Sequence, residues 1–155
     1  MSYVNLPDNL RDLIYNIKDR IYKLEVGPKN IYEPISVTGT AATGTLNIDV
    51  ATTGIWYYNS NATANFTINF RGNADISFDN YVPTNSSLTT VILNQNGTTA
   101  YYPSVYKIDG TTITPKWYPS APSAGNASAT DAYTITIIKT ASATYTALAT
   151  VVSFK

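Results

Sequence analysis

Asn65-Phe-Thr-Ile-Asn-Phe70 alternates polar and large apolar residues, and this period of two predicts a β-strand with one buried face. The same alternation recurs in Thr45-Leu-Asn-Ile-Asp-Val50 and in Tyr133-Thr-Ile-Thr-Ile137. Shorter runs that favour strands lie at 55–58, 75–78 and 88–93. We therefore expect the region 31–155 to be mainly β, with roughly eight to ten strands, as in small two-sheet domains.

Two turn signals predict how these strands connect. Asn96-Gly97 lies between the apolar runs 91–94 and 99–102, and Asp109-Gly110 lies between 105–108 and 111–114. Both dipeptides suit type I′ hairpin turns, which need positive φ. A third hairpin is expected to join 133–139 to 145–154. The sequence thus predicts an antiparallel β-sandwich or jelly-roll-like domain. Residues 117–130, rich in Pro, Gly, Ser and Ala, are expected to form a long surface loop.

The first 30 residues predict a different element. Their apolar residues are spaced by four, three, four and three positions, which is a heptad pattern. This seam consists of Leu10, Ile14, Ile17, Ile21 and Leu24. Asn5, with Asp8 three residues later, suits the start of a helix, and Gly27-Pro28 suits its end. We expect residues 1–30 to be a helical oligomerisation and anchoring segment, and residues 31–155 to be the displayed β-domain.

The helix is too short to be stable alone, so it must pack on something. Leu13 widens the seam, which favours a three-stranded coiled coil and a homotrimer. A dimer, or an amphipathic helix packed on its own β-domain, are the alternatives. Tyr15 and Tyr22 lie seven residues apart and off the seam, so they are possible docking positions.

Composition restricts the chemistry. The chain has no Cys and no His, which excludes disulfides, Cys/His zinc sites and histidine acid–base catalysis. Ten basic residues balance ten acidic ones, so no nucleic-acid partner is expected. Half of these charges lie between residues 8 and 33. No stretch reads as a signal peptide or a membrane span, and we expect no membrane insertion, no metal and no cofactor.

The carboxylates of the β-region do not suggest an enzyme. They are few and scattered: Asp49, Asp75, Asp79, Asp109 and Asp131. Asp75 and Asp79 lack the pattern of a calcium loop, so we interpret them as solvent-exposed loop residues. Asp109 suits a hairpin turn for conformational reasons. The numerous Ser and Thr hydroxyls have no activating base. We therefore expect no catalytic residues.

Aromatic residues are the best candidates for ligand contact, because exposed Tyr and Trp rings can stack on sugars. The candidates are Trp56, Tyr58, Tyr101, Trp117 and Tyr118. Neighbouring residues of a strand point to opposite faces, so each cluster must be divided between core and surface. These rings are therefore predicted either to fill the core or a subunit interface, or to form a glycan platform.

Several strings together resemble a β-module that recurs in virion structural and fibre-like proteins of cyanophages and other marine phages. They are Thr53-Gly-Ile-Trp-Tyr-Tyr58, Asn65-Phe-Thr-Ile-Asn-Phe-Arg-Gly72, Thr99-Ala-Tyr-Tyr-Pro103, Lys107-Ile-Asp-Gly110, Thr114-Pro-Lys-Trp117, Pro122-Ser-Ala-Gly-Asn126 and Tyr133-Thr-Ile-Thr-Ile-Ile-Lys-Thr140. The resemblance covers roughly residues 39–155 and excludes the helix. It implies that the β-domain is displayed while the helix selects the attachment site, and it brings no catalytic residue.

The resemblance and the composition lead to one expectation and one alternative. We expect a bacteriophage virion structural protein, either a trimeric fibre-like appendage or a capsid decoration. Its partners would be other virion proteins of the capsid, neck or tail, and its location the virion surface after assembly in the host cytoplasm. The alternative is a receptor-binding module that recognises a host surface glycan. A glycan depolymerase is less favoured, because the usual carboxylate pair is not visible.

Overall fold

The structure is a computed structural model that describes residues 7–26 and 33–155, with the backbone alone for 21–26. The chain divides into two compact units, residues 1–32 and 33–155. The first contains helix α1 (Asp8–Val26). The second contains β1 (Ile35–Thr38), β2 (Gly44–Asp49), β3 (Ile55–Tyr58), β4 (Phe66–Arg71), α2 (Phe78–Tyr81), β5 (Ser86–Gln95), β6 (Pro103–Ile108), β7 (Thr111–Ile113), β8 (Lys116–Trp117), β9 (Thr130–Ala141) and β10 (Thr144–Phe154).

The strands form two sheets with both parallel and antiparallel pairs. The six-stranded sheet has the order β1-β3-β5-β9-β10-β8, and the four-stranded sheet has the order β2-β4-β6-β7. From β1 to β6 the chain alternates between the sheets, so β1, β3 and β5 stack parallel in one and β2, β4 and β6 in the other. This alternation explains the parallel order, because each strand returns to its sheet only after crossing to the other.

The two sheets face each other across one hydrophobic core. Alternation along each strand supplies the buried side chains, as the sequence predicts. Phe66, Ile68 and Phe70 are buried on β4, and Tyr133, Ile135 and Ile137 on β9. The intervening residues of these strands are half-buried. The core therefore draws mainly on the strands whose period of two is clearest in the sequence.

The prediction of a mainly β domain is confirmed, and ten strands are found in the described residues. The predicted antiparallel order was wrong for the first half of the domain. Among residues 33–155, five of the eight strand pairs are parallel, and the sheets do not follow a clear antiparallel jelly-roll order. The physical reason is that a period of two marks a half-buried strand without specifying the direction of its neighbour.

The hairpin predictions were correct in two cases and wrong in one. Asp109 and Gly110 have φ values of 49° and 80° and join β6 to β7, as a type I′ turn requires. Strands β9 and β10 form the second hairpin, in which Ala143 has a φ of 50°. Asn96-Gly97 instead lies where the chain leaves β5 of one sheet for β6 of the other.

Three further predictions concern local structure. Residues 75–78 are not a strand, because Phe78 begins the short helix α2 and the Ser77 hydroxyl accepts a hydrogen bond from the amide of Asn80 at its start. Most of 117–130 is the predicted loop. Helix α1 agrees with the heptad pattern, while Asn5 and Gly27-Pro28 lie outside the described residues.

Candidate functional site

The apolar stripe of α1 is largely exposed in the single chain. Leu10, Leu13 and Ile17 are 40%, 54% and 45% exposed, and Ile14 is half-buried. Tyr15, the first predicted docking residue, is also exposed. The remaining predicted residues of this helix, Ile21, Tyr22 and Leu24, have helical backbone, but their side chains lie outside the described part. The helix thus presents an apolar face of the kind that another helix covers in a coiled coil.

The predicted aromatic candidates do not form one platform. Tyr58 is buried, and burial raises its pKa to about 12. Trp56 and Tyr101 are half-buried and pack against the core. Trp117 is half-buried and meets the ring of Tyr106 edge to face, with 5.6 Å between the ring centroids. Tyr118 alone is largely exposed, at 80%. Most of these rings therefore stabilise the domain.

A shallow groove of about 300 Å³ lies beside Trp117. Its walls are aromatic rings, prolines, short hydroxyl side chains and the aliphatic side chains of Val105, Ile113 and Ala121. They include Tyr102, Pro103, Ser104, Thr112, Thr114, Pro115, Trp117 and Pro122. None of the residues that line the groove is charged. An uncharged groove with aromatic walls and exposed hydroxyls suits a neutral polar ligand better than an ionic one.

Asp79 is the centre of a polar cluster that joins α2 to the β9–β10 hairpin. Its carboxylate accepts hydrogen bonds from the Tyr145 hydroxyl at 2.7 Å, the Ala143 amide at 2.8 Å and the Ser142 hydroxyl at 3.0 Å. Lys139 Nζ lies 2.9 Å from the same carboxylate. The Ala143 amide, followed by Tyr145 and Lys139, holds the pKa of Asp79 well below its usual range. The carboxylate is therefore a stable anion that fixes neighbouring elements.

The burial of Lys139 indicates that this cluster stabilises the fold. It is buried on the inward face of β9, and its ammonium group also donates to the carbonyl oxygens of Asp79 and Val82. A buried ammonium needs such a set of acceptors, because desolvating an unpaired charge is costly. The interpretation of Asp79 as a solvent-exposed loop residue was therefore wrong, whereas Asp75 is exposed as expected. The overlooked signal was Lys139 at a position whose alternation predicts burial.

Asp109 connects the β6–β7 turn to the same helix. Its carboxylate accepts hydrogen bonds from the backbone amides of Phe78 at 2.7 Å and Asp79 at 3.1 Å. These amides belong to the first turn of α2 and have no partner within the helix. Asp109 thus has two roles, because it adopts the left-handed turn conformation and also caps a helix about thirty residues earlier.

Asp131 anchors the long loop at the other end of the domain. This fully buried carboxylate accepts hydrogen bonds from Asn126, through its amide at 3.0 Å and its side chain at 2.8 Å. The side chain of Asn96 donates a third bond at 3.1 Å and accepts one from the amide of Tyr101 at 3.0 Å. Sequence reasoning interpreted Asn96 as a hairpin residue and missed this role. The network fixes the loop against the crossing between the sheets.

Four of the five aspartates of the β-region are thus committed to structural contacts. Asp49 is paired with Arg71, while Asp79, Asp109 and Asp131 accept the bonds described above. Within residues 7–26 and 33–155, no three acidic side chains approach closely enough to hold a metal ion. The described helices include none with the length and apolarity to cross a bilayer.

Known proteins provide no further guide to the chemistry of these surfaces. No family model matches the sequence, and no curated protein or solved structure is detectably similar to it.

Proposed function

We propose that the protein is a structural component of a bacteriophage virion, displayed on the particle surface as a trimeric fibre-like appendage or a capsid decoration. The observation that carries the proposal is the exposed apolar stripe of α1, a heptad surface with 40% to 54% exposure at Leu10, Leu13 and Ile17. Such a stripe is stable in water only when it is covered. A coiled coil of three identical helices covers it.

The buried hydrogen bonds within the β-domain support a structural role. Asp79, Asp109 and Asp131 each accept several hydrogen bonds that tie loops and turns to strands. The depressed pKa of Asp79 results from such donors and suits a fixed anion rather than a proton carrier. Polar groups that are bonded in this way make the domain rigid. A displayed module requires such rigidity outside the cell, and this chain has no disulfide to provide it.

The assignment to a virion rests on the resemblance of residues 39–155 to phage structural modules. In this proposal the helix carries the attachment site, with Tyr15 and Tyr22 facing another virion protein of the capsid, neck or tail. The β-domain then projects outwards, after assembly in the host cytoplasm. The concentration of charge between residues 8 and 33 supports this polarity, since the β-domain offers few charges for docking.

Addition of the protein to particles that lack it tests this proposal. A fusion of residues 1–30 to an unrelated trimeric domain should bind such particles, and electron microscopy should place the fused domain on their surface. A matched fusion with Tyr15→Ser and Tyr22→Ser should keep its trimeric state but bind more weakly. Binding by residues 31–155 in place of the helix fusion would reverse the polarity and make the β-domain the anchor.

The groove beside Trp117 favours a second candidate, a receptor-binding module for a neutral surface glycan. Aromatic walls and uncharged hydroxyls are the groups that contact sugars, and the groove holds about 300 Å³. The intrinsic fluorescence of Trp117 should change when host polysaccharide is added, and Trp56→Phe should leave that change intact. Loss of the signal in Trp56→Phe, or no signal at millimolar sugar, would reject this candidate.

A further inference from the structure

The outer face of the six-stranded sheet carries rows of apolar side chains among threonines. Cross-strand pairing aligns Val37, Tyr57, Leu93, Ala132 and Val152 in one row across five strands. The residues on either side of this row in sequence point inwards to the core, so the row itself faces away from it. Val37 and Val152, at its two ends, are 55% and 51% exposed. Tyr57 and Leu93 are half-buried and Ala132 is buried, so the row is an outward-facing apolar stripe that is most accessible at its two ends.

A second row extends this surface. Ile35, Ile55 and Val91 lie side by side on β1, β3 and β5, and Thr134 and Thr150 continue the row on β9 and β10. The outward residues Leu148 and Phe154 of β10 are also exposed. Soluble monomers rarely expose a contiguous apolar patch larger than a few hundred Å², and a larger patch usually marks an interface.

The near absence of charged residues on this face indicates what kind of surface can cover it. From β1 to β10 its outward positions are Val, Ile, Leu, Tyr, Phe, Ala, Thr, Ser and Gln, and Lys116 on the edge strand β8 is the exception. The outer face of the four-stranded sheet is different, because it carries Asp49, Arg71 and Lys107. Copies of an uncharged face can meet around the axis of a trimer without like-charge repulsion.

The two edges of the face are complementary. Exposed Glu33 precedes β1 at one edge, and exposed Lys116 lies on β8 at the other. A second copy can therefore place its lysine edge against the glutamate edge of the first.

We infer that the outer face of the six-stranded sheet is a second self-association surface, whose partner is another copy of this chain. The inference rests on the proposed function, since both require self-association. It adds that the β-domains contact one another directly, so the oligomer does not depend on the helices alone.

Thiol labelling of the full-length chain tests the inference, because the protein has no cysteine of its own. Val152→Cys places a thiol in the apolar row, and Thr45→Cys places one at an exposed position of the other sheet's outer face. In the oligomer, maleimide should react at least tenfold more slowly with the Val152→Cys variant than with the Thr45→Cys variant. Dilution to the monomer should abolish the difference.

A matched pair of charged variants gives an independent measurement. Val152→Lys should lower the association constant at least tenfold, because it buries an unpaired charge in each contact, while Thr45→Lys should leave it unchanged. Both positions are solvent-exposed in the single chain, so circular dichroism should show that both variants fold. Sedimentation velocity over a range of concentrations measures the association constants.

The outcomes separate this inference from the proposed function. An oligomer in which the Val152→Cys variant reacts as fast as the Thr45→Cys variant would overturn the inference and leave helix-driven assembly intact. Slow labelling in a protein that sediments as a monomer would mean that the chain covers the face itself, which also overturns it. A wild-type monomer with both thiols reactive would overturn the inference and the proposed trimer together.

Discussion

The hydroxyl of Tyr145 donates a hydrogen bond of 2.7 Å to the carboxylate of Asp79, sixty-six residues earlier in the chain. This bond ties the last strand to α2, whose Phe78 also packs edge to face against the ring of Tyr145, with 5.6 Å between centroids. Burial, followed by the bond to Asp79, raises the pKa of Tyr145 above its usual range, so the hydroxyl keeps its proton in alkaline solution where a free tyrosine loses it.

Removal of this hydroxyl should destabilise the domain. Tyr145→Phe leaves the ring contact intact but deprives Asp79 of a donor, so the midpoint of urea unfolding should fall. Tyr106→Phe is the matched control, because the Tyr106 hydroxyl is buried with no hydrogen-bond partner in the described residues. The free energy of unfolding of the Tyr106→Phe variant should differ from that of the wild type by no more than about 1 kcal/mol, or should be higher. Equal losses in the two variants would contradict a specific role for the bond.

The depressed pKa of Asp79 predicts a loss of stability in acid. Above the ordinary aspartate pKa of about 3.9, the carboxylate is charged in both states and its folded contacts contribute fully. As pH falls below that value the unfolded chain takes up the proton first, so the contribution is lost as pH approaches the lower folded pKa. Asp79→Asn should flatten the decline in unfolding free energy between about pH 4 and pH 2. A variant with the wild-type slope would contradict this assignment.

Gly125 should be the most sensitive position of the long loop. A Cβ at this residue would collide with the carbonyl oxygen of Tyr101, which cannot move without disturbing the Asn96 network. Gly125→Ala should therefore cost about 1–3 kcal/mol, the usual range for overpacking. Ser123→Ala, at an exposed position two residues earlier, is the control and should be near neutral. Thermal melts of the two variants measure the difference.

Ile17→Asp should disrupt assembly more than any single change in the 117–130 loop. In a three-stranded coiled coil it would bring three aspartates together in one buried layer, where unpaired charge is expensive. Asn16→Asp adds the same charge one position away, off the seam, and should leave the oligomeric mass unchanged. Both variants are compared by sedimentation velocity. A wild-type mass for Ile17→Asp would mean that this face does not form the contact.

The sequence predicts strand positions well because alternation is local. The runs around Phe66–Phe70 and Tyr133–Ile137 lie within strands β4 and β9, and Asp109-Gly110 forms its predicted turn. The parallel order could not be predicted, because it depends on which sheet each strand joins. Asn96-Gly97 was misinterpreted for a related reason, since Asn96 is buried and bonded to Asp131, a contact that no local rule anticipates.

The polar sites were harder to predict than the strands. Asp79 and Lys139 are separated by sixty residues, and either residue alone resembles an ordinary surface charge. Only the inward position of Lys139 on β9 signals that it needs a buried partner. The apolar rows of the outer face could likewise not be predicted, because residues such as Val37, Tyr57 and Leu93 can be placed side by side only when the strand register is known.

The oligomeric mass of the full-length protein tests the central proposal most directly. The chain mass is 16.9 kDa, so the mass obtained for a trimer should be three times that value. Dilution should return the measured mass towards that of the single chain. Sedimentation velocity at neutral pH and several concentrations makes this measurement. A mass that stays at 16.9 kDa at every concentration would contradict the account, because the stripe of Leu10, Leu13 and Ile17 would then have no partner chain.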